Sequence, residues 1–513
     1  MPRARLLATT ALVAGVAWTM IAPAAAQELR IGLQQVQNEF DPGDETGNDG
    51  APALYNVFDT LIERKPFTSP LEFEPGLATS WELVEPNVME FRLREGVVMH
   101  DGTTMDAEDV AFSLNRIFEQ RQPEFGSADG RFFYNFERVE VVDPVTVRVH
   151  AERPDPLFET LLSARNAGIV SKEYVEEVGF DGSNLMPRGT GPYRVAEYQP
   201  RERIVLERHE EFWGEPAPFE RVIYREISEP AARVTALVND EVDLVTNLPP
   251  NQMEVLEGED GVTVKGITWP MFHVWVLNMN HPAMDDPKIR KAMRLAIDRE
   301  ALVEGLWDGK AIAPKAHQYP EYGEPLYMPD LELIAHDPAR AKELLAESTY
   351  DGETIRVTYE PYYYLYMGLA AQAIEDMWQQ IGLNVELAQV DDYDYDNIMI
   401  RPWSNPMYYP DPMGAMDTHW STNSWTYERG LWDPQNPDWS ETYERVRFST
   451  DPMERRDAYR ELLEIAEEES GWILLYRPHE GYAMRADLEW EIPVALRPYT
   501  LPLRTGQAGF SSE

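Results

Sequence analysis

The chain has 513 residues, 43% of them hydrophobic, and its 90 acidic and 45 basic side chains leave a formal charge of −45. Repulsion at that charge excludes nucleic acid and anionic membrane surfaces as partners, and reads first as a solvated acidic shell. The absence of cysteine excludes disulfides, a thiolate nucleophile, a cysteine zinc site and an acylated lipoprotein anchor, while the length allows about three lobes at roughly 150 residues each.

Residues Met1 to Ala26 have the form of a secretory signal peptide: Arg3 and Arg5, an apolar run from Leu6 to Ile21, and Ala24-Ala25-Ala26 ahead of Gln27. Cleavage is expected after Ala26, which places the mature chain in the periplasm and outside the bilayer; a retained anchor is the competing reading. Leu29 to Leu33 alternates as a half-buried strand does, and an acidic, glycine-rich loop follows from Asp41 to Gly50. Met89, Phe91 and Leu93 alternate with charged residues, and Asp106 with Asp109 has the spacing of a capping box for a helix whose Val110, Leu114, Ile117 and Phe118 share a face. His100 and Asp101 are expected to hold the turn before it.

Gly189 and Gly191 are expected to give backbone freedom ahead of Pro192, and two strands follow at Tyr193–Tyr198 and Ile204–Arg208. Strands at Val222–Ile227 and Val242–Val245 flank a helix near Ala231–Val238, and a further strand is expected at Val274–Asn280. Asp286-Pro287, Asp337-Pro338 and Asp451-Pro452 each place an acceptor at a helix cap and a proline in the first turn; Glu454 completes a capping-box spacing with Asp451. A helix over Leu365–Ile381, closed by Gly382, precedes a strand at Val385–Val390. Helices alternating with strands predict an α/β fold.

No nucleotide-binding glycine loop, His-Glu-x-x-His or Gly-x-Ser-x-Gly is present. His209-Glu210-Glu211 lacks a second histidine for zinc, and Asp392, Asp394 and Asp396 lack the glycine and glutamate of a calcium loop, since Asn397 and Trp403 stand there. No metal and no cofactor are therefore expected. The informative stretch is Met399 to Trp425, in which Trp403, Met407, Tyr408, Tyr409, Met413, Met416, Trp420 and Trp425 are interrupted by Pro402, Pro406, Pro410 and Pro412. Those prolines forbid one continuous helix, so the aromatic side chains cover either a core or a ligand. Tyr362, Tyr363, Tyr364 and Tyr366 form a second aromatic group.

Three blocks carry a family resemblance. They are PGLATSW, FRLREGVVMHDG and AEDVAFSLNRI between Glu74 and Ile117, GTGPYRVAEYQPRERIVLERHEEFWG from Gly189 to Gly214, and LNMN with DDPKIRKAMRLAIDREALVEGL between Leu277 and Leu306. In that order they resemble the extracytoplasmic solute-binding proteins of peptide, nickel and oligosaccharide ABC importers, family 5 or cluster C. The resemblance implies a periplasmic-binding-protein-like fold of type II with mixed sheets. Its two cleft-forming halves include an extra small lobe: lobe I at 27–50, lobe II at 51–184, lobe I again at 185–272, lobe III at 273–477, and a return to lobe I at 478–513. It implies a hinge at Met271, Phe272 and His273, and substrate contacts from Glu39, Phe40, Tyr363, Trp403, Asn405, Tyr408, Tyr409, Asp411, Trp420 and Trp425.

In peptide-binding members an aspartate three residues after the matching tryptophan pairs with the ligand's amino group; here that position is Pro406, and Asp411 is the candidate substitute. The implied function is a monomeric, non-enzymatic substrate-binding component that delivers an oligopeptide, oligosaccharide or related neutral or zwitterionic solute to a permease pair with a cytoplasmic ATPase. An exported glycoside hydrolase using paired carboxylates, and a sensor or chaperone on the same fold, are the alternatives.

Overall fold

The expected first strand is β1 (Glu28–Leu33); Leu29 and Ile31 on it are fully buried, and it forms the middle of a seven-stranded sheet. The computed structural model describes residues 28–36, 40–43, 51–65, 71–120, 132–361, 364–390, 393–492, 503 and 508–510. The expected signal peptide, Glu39 and Tyr363 lie outside the described residues. Helix α1 (Ala51–Val57) sends Leu54 and Val57 into the core of β1's sheet, where Phe58 joins them.

A short pair, β2 (Ile62–Arg64) and β3 (Phe73–Pro75), leads into lobe II. Its sheet comprises β4 (Ala78–Glu85), β5 (Val88–Leu93), β6 (Phe136–Asp143) and β7 (Thr146–Ala151). They are antiparallel in the order β4-β5-β7-β6. Phe91 and Leu93 are buried with Val110, Leu114 and Ile117 of α2 (Ala107–Gln120), as the two periodicities require. The capping box forms: Asp106 Oδ1 accepts from the Glu108 N–H at 2.8 Å and Asp109 Oδ2 from the Asp106 N–H at 3.1 Å.

Helices α3 (Phe158–Leu162) and α4 (Lys172–Leu185) bring the chain back to lobe I. There β8 (Tyr193–Gln199), β9 (Arg203–Arg208), β10 (Arg221–Glu226), β11 (Leu244–Leu248) and β12 (Val262–Thr268) extend the first sheet, with α5 (Pro230–Val238) and α6 (Pro250–Glu257) beside it. Gly189 and Gly191 serve close approach here, since a Cβ on either would lie 2.5–2.6 Å from backbone atoms of Val57. His100 holds that turn. The Gly189 N–H donates to its Nδ1 at 3.1 Å, which leaves Nε2 as the donor to the Gly191 carbonyl at 2.9 Å.

Lobe III is built on β13 (Met271–Leu277), β14 (Thr354–Tyr359), β15 (Asn384–Gln389), β16 (Ile400–Pro406) and β17 (Trp472–Tyr476), in the order β15-β14-β16-β13-β17. One face buries Trp275, Leu277 and Ile400 against α7 (Pro287–Leu295), α8 (Arg299–Trp307), α9 (Pro338–Ala346) and α10 (Met367–Ile381). The other buries Phe272, Val274 and Val276 under α11 (Met413–Met416), α13 (Trp439–Phe448) and α14 (Pro452–Glu469), with α12 (Trp425–Glu428) in the loop between. Asp286, Asp337 and Asp451 each accept a first-turn N–H, as their Asp-Pro signatures predict. Glu454, however, takes the Ser449 hydroxyl at 2.7 Å, and Ser449 in turn accepts the Asp451 N–H at 3.2 Å.

The chain passes from lobe I to lobe III between β12 and β13, at Trp269-Pro270, and returns between β17 and β18 (His479–Arg485), at Arg477-Pro478. β18 then lies between β12 and β11 in the first sheet. The crossings are tied together: the Trp269 N–H donates to the Pro478 carbonyl at 3.0 Å, and Arg477 Nε to the Trp269 carbonyl at 2.9 Å. Met271, Phe272 and His273 follow the first crossing and are already paired within the lobe III sheet. Lobe II does not stand apart from lobe III, because one hydrophobic core runs from Phe91 and Leu114 through Phe132 to Tyr409 and Leu462.

Candidate functional site

β16 and the chain that follows it bring most of the sequence-predicted residues together. Along the strand, Arg401, Trp403 and Asn405 point to the face they share with Val276, Val274 and Phe272 of β13, their register partners. Trp403 is half-buried. Its ring meets Trp425 with centroids 4.1 Å apart and His419 at 5.1 Å, and the Arg401 guanidinium lies 3.9 Å from its centre. Tyr364, from the second aromatic group, donates to Ser404 Oγ at 2.8 Å and so reaches the opposite side of the same strand. Trp403, Trp425, Tyr408 and Tyr364 are all half-buried and keep partial solvent exposure.

Asn405 is fully buried and has structural bonds on both ends of its amide: Nδ2 donates to the Ala415 carbonyl at 2.7 Å and Oδ1 accepts from His317 Nε2 at 2.6 Å. Burial pulls the His317 ring down to about 4, so it stays neutral near pH 7. After Pro406 the chain makes a tight turn in which the Tyr408 N–H donates to the Gly414 carbonyl at 3.0 Å. Any Cβ at Gly414 would collide with the Tyr409 carbonyl oxygen. Tyr409 is buried and donates to Asp417 at 3.0 Å, and Trp420, fully buried, stacks on Trp472 at 3.9 Å. Phe40 is likewise fully buried in lobe I, edge-on to Tyr198 at 5.1 Å.

Asp411 sits at the start of α11, where its Oδ1 accepts the Met413 N–H at 3.0 Å and an N–H of Arg455 at 2.8 Å. Only 4% of it is exposed. Its carboxylate is therefore buried and paired with Arg455, where the expected role was a substitute for the aspartate missing at Pro406. Further in, Asp417 accepts from Tyr409 and Tyr443 beside the guanidinium of Arg447. Burial raises its carboxyl to about 6 despite the pull of Arg447 and the tyrosine hydroxyls.

Sequence reasoning passed over four members of this group. Tyr393 and Tyr395 stand between the aspartates that suggested a calcium loop, and Arg401 and Arg429 stack on the aromatic rings. The signal was the alternation itself: Asp392-Tyr393-Asp394-Tyr395-Asp396 carries rings as well as carboxylates. Among the described residues no group of three or more His, Cys, Asp or Glu is placed to hold a metal ion.

Two halves joined by paired proline crossings, with a partly exposed aromatic surface on one of them, have the architecture of a type II periplasmic-binding-protein fold. Comparison with known structures bears out that fold. A periplasmic binding protein, DppA, from Helicobacter pylori in complex with the peptide STSA superimposes with a TM-score of 0.84 at 21% identity, covering 95% of this chain and 99% of that one. The AgaA binding protein in complex with agropinic acid, from A. tumefacien R10, gives 0.83 at 20% identity, with 95% and 99% covered. Residues 72–427 match the bacterial extracellular solute-binding proteins, family 5 middle region; the chain belongs to that family, the solute-binding components of ABC importers. The dipeptide-binding protein of Escherichia coli K12 is 27% identical over 402 residues, 72% of this chain and 73% of that protein. Heme-binding protein A of Haemophilus influenzae is 27% identical over 317 residues, 57% of this chain and 56% of that protein.

Proposed function

We propose that the protein captures a peptide-sized solute, an oligopeptide or a related zwitterionic compound, between lobe I and lobe III in the periplasm, and presents it unaltered to a permease pair driven by a cytoplasmic ATPase. The observation that carries this reading is the pair of crossings at Trp269-Pro270 and Arg477-Pro478, the route by which the chain enters and leaves lobe III. Two adjacent short connections let one half swing on the other while each sheet stays rigid. Closure is then driven only by contacts that a solute makes in the closed form and lacks in the open one. The named ligands of the relatives, a dipeptide and a heme, and those of the structural neighbours, a peptide and agropinic acid, support a solute of this size.

The buried Asp411 and Asp417 are satisfied by arginine and tyrosine, which supports binding without turnover. The test combines mass spectrometry of small molecules retained through purification with small-angle scattering of the exported chain before and after adding them. Compaction with the solute recovered intact is the expected result. A fixed radius with every retained solute, or a solute recovered as cleavage products, would overturn the reading.

A further inference from the structure

Two arginines on lobe III lie among aromatic rings. The Arg401 guanidinium sits 3.9 Å from the ring centres of both Tyr393 and Trp403, and its Nη1 donates to the Tyr395 hydroxyl at 2.6 Å. The Arg429 guanidinium lies 3.4 Å over Trp425 and 4.3 Å over Tyr395. Trp403 and Trp425 close the group with centroids 4.1 Å apart. Among the described residues neither guanidinium is in an ion pair with a carboxylate, in a chain with twice as many acidic as basic side chains. Arg447, Arg455 and Arg477 of the same lobe each face one.

Stacking and hydrogen bonds to neutral oxygens, the Tyr395 hydroxyl and the Pro402 carbonyl, place two cations close together without neutralising either. Burial pulls the Arg429 pKa down and Tyr395 opposes it; Arg401 then adds to the fall more strongly than Glu428 offsets it. An anion between the two guanidiniums would relieve the repulsion and gain charge-assisted hydrogen bonds in partly dry surroundings. The rings remain half-exposed, so the anion has a flat apolar wall beside it.

We propose that Arg401 and Arg429, with Tyr393, Tyr395, Trp403 and Trp425, form a subsite for a carboxylate carried next to a flat ring, so that the protein selects free-acid aromatic peptides or arylalkanoic acids over their neutral counterparts. The proposal rests on the solute-binding reading above and names the chemistry of its solute. Arg429 is exposed and its replacement leaves the core intact, whereas Arg401 is 7% exposed and is tested by Arg401→Lys, which keeps the charge and loses the planar fork.

Two matched pools serve as probes for the exported chain, one of aromatic dipeptides and arylalkanoic acids as free acids and one of the same compounds as amides. Melting temperature and tryptophan fluorescence are the readouts. The expected result is a melting rise and a fluorescence change with the acid pool alone, with affinity for the responding acid at least tenfold weaker in Arg429→Gln and in Arg401→Lys. An equal response to the amide pool, no response to either pool, or an acid response unchanged in Arg429→Gln would overturn the subsite. If scattering still shows compaction with a solute lacking an acid group, the subsite fails and the hinged-binding reading stands. If no solute compacts the chain, the reading beneath it fails as well.

Discussion

Arg447 on α13 and Asp155 after β7 meet through two parallel hydrogen bonds of 2.6 Å, with no exposure of either side chain. The pair joins lobe III to lobe II. Beside it Arg153 pairs with Glu444, and its guanidinium lies 3.3 Å from the centre of the Phe448 ring. Phe132 of lobe II packs on Tyr408 at 5.0 Å and on Tyr409 at 5.6 Å. The small lobe is thus packed and ion-paired to the lobe that carries the aromatic surface, in addition to its covalent connection to lobe I.

Asp155→Asn is expected to be costly because it leaves the Arg447 charge buried, with Asp417 3.9 Å away as its remaining carboxylate among the described residues. Breaking one partner of such a pair costs about 3–5 kcal/mol, whereas replacing both by apolar groups is close to neutral. Urea unfolding should therefore show a loss of about 3 kcal/mol for Asp155→Asn, most of it recovered in Asp155→Leu/Arg447→Met. A double variant no better than the single one would mean that the stranded charge is not the cost, and that the bonds Asp155 accepts from Arg447, Asn135 and the Leu157 N–H supply the stability.

Asp411→Asn and Trp403→Ala separate frame from surface. The first strands Arg455 in the same way, so a melting-temperature drop corresponding to about 3 kcal/mol is expected, with affinity for any bound solute changed less than twofold. The second removes a half-buried ring that touches Trp425 and Arg401; at least a tenfold loss of affinity is expected with a stability cost of about 1–2 kcal/mol, well below that of a fully buried aromatic. The reverse pattern, with Asp411 governing affinity and Trp403 governing stability, would exchange their roles.

Most of the architecture was legible because it is written in local rules. Asp286, Asp337 and Asp451 mark their helices by cap and proline together, and the β5 alternation put Phe91 and Leu93 in the core. What was not legible depends on which distant residue answers a polar group. Asp411 looks like a candidate anchor until Arg455, 44 positions away, is seen to hold it. The proline-rich stretch correctly excluded one long helix, yet it does not tell Trp420, buried against Trp472 and Trp432, from the half-buried Trp403. Gly189 and Gly191 were placed at a turn, but their cause is the approach of the α1 backbone, which no local pattern encodes.

His273 gives the protein an acid sensitivity with a definite sign. It is fully buried on β13, its ring nitrogens have no hydrogen-bond partner among the described residues, and its ring lies 4.7 Å from Tyr364 and 5.2 Å from Tyr476. Burial pulls its pKa down to about 3. Below about pH 6.5 the unfolded chain binds a proton at this position that the folded one refuses, so stability falls as pH falls through the interval from 6.5 to 3, by about 1.4 kcal/mol per unit. His273→Phe keeps the ring and removes the titration. Its stability relative to the parent is expected to rise by about 2 kcal/mol between pH 6.5 and pH 5. A difference that stays constant with pH would show that His273 is charged or solvated in the folded state.

Arg477 is the residue through which the two crossings act together. It is 5% exposed; Nε holds the Trp269 carbonyl at 2.9 Å on the other crossing, and Nη2 holds Glu321 of lobe III at 2.6 Å. Methionine at this position fills similar space but makes neither bond, and hydrogen bonds to a charged group contribute about 1.5–3 kcal/mol each. Arg477→Met should therefore leave the sheets of both halves intact while loosening the connections, which then keep only the backbone bond from Trp269 to Pro478 of the two ties described. Far-ultraviolet circular dichroism is expected to be unchanged, the scattering profile of the solute-free chain to broaden, and the apparent affinity for a bound solute to fall about tenfold as the binding-competent fraction shrinks. If affinity and scattering both stay at parental values, Arg477 is a packing residue and the hinge motion is governed elsewhere. A loss of circular dichroism would instead show that the crossings are part of the folded core and do not act as a joint.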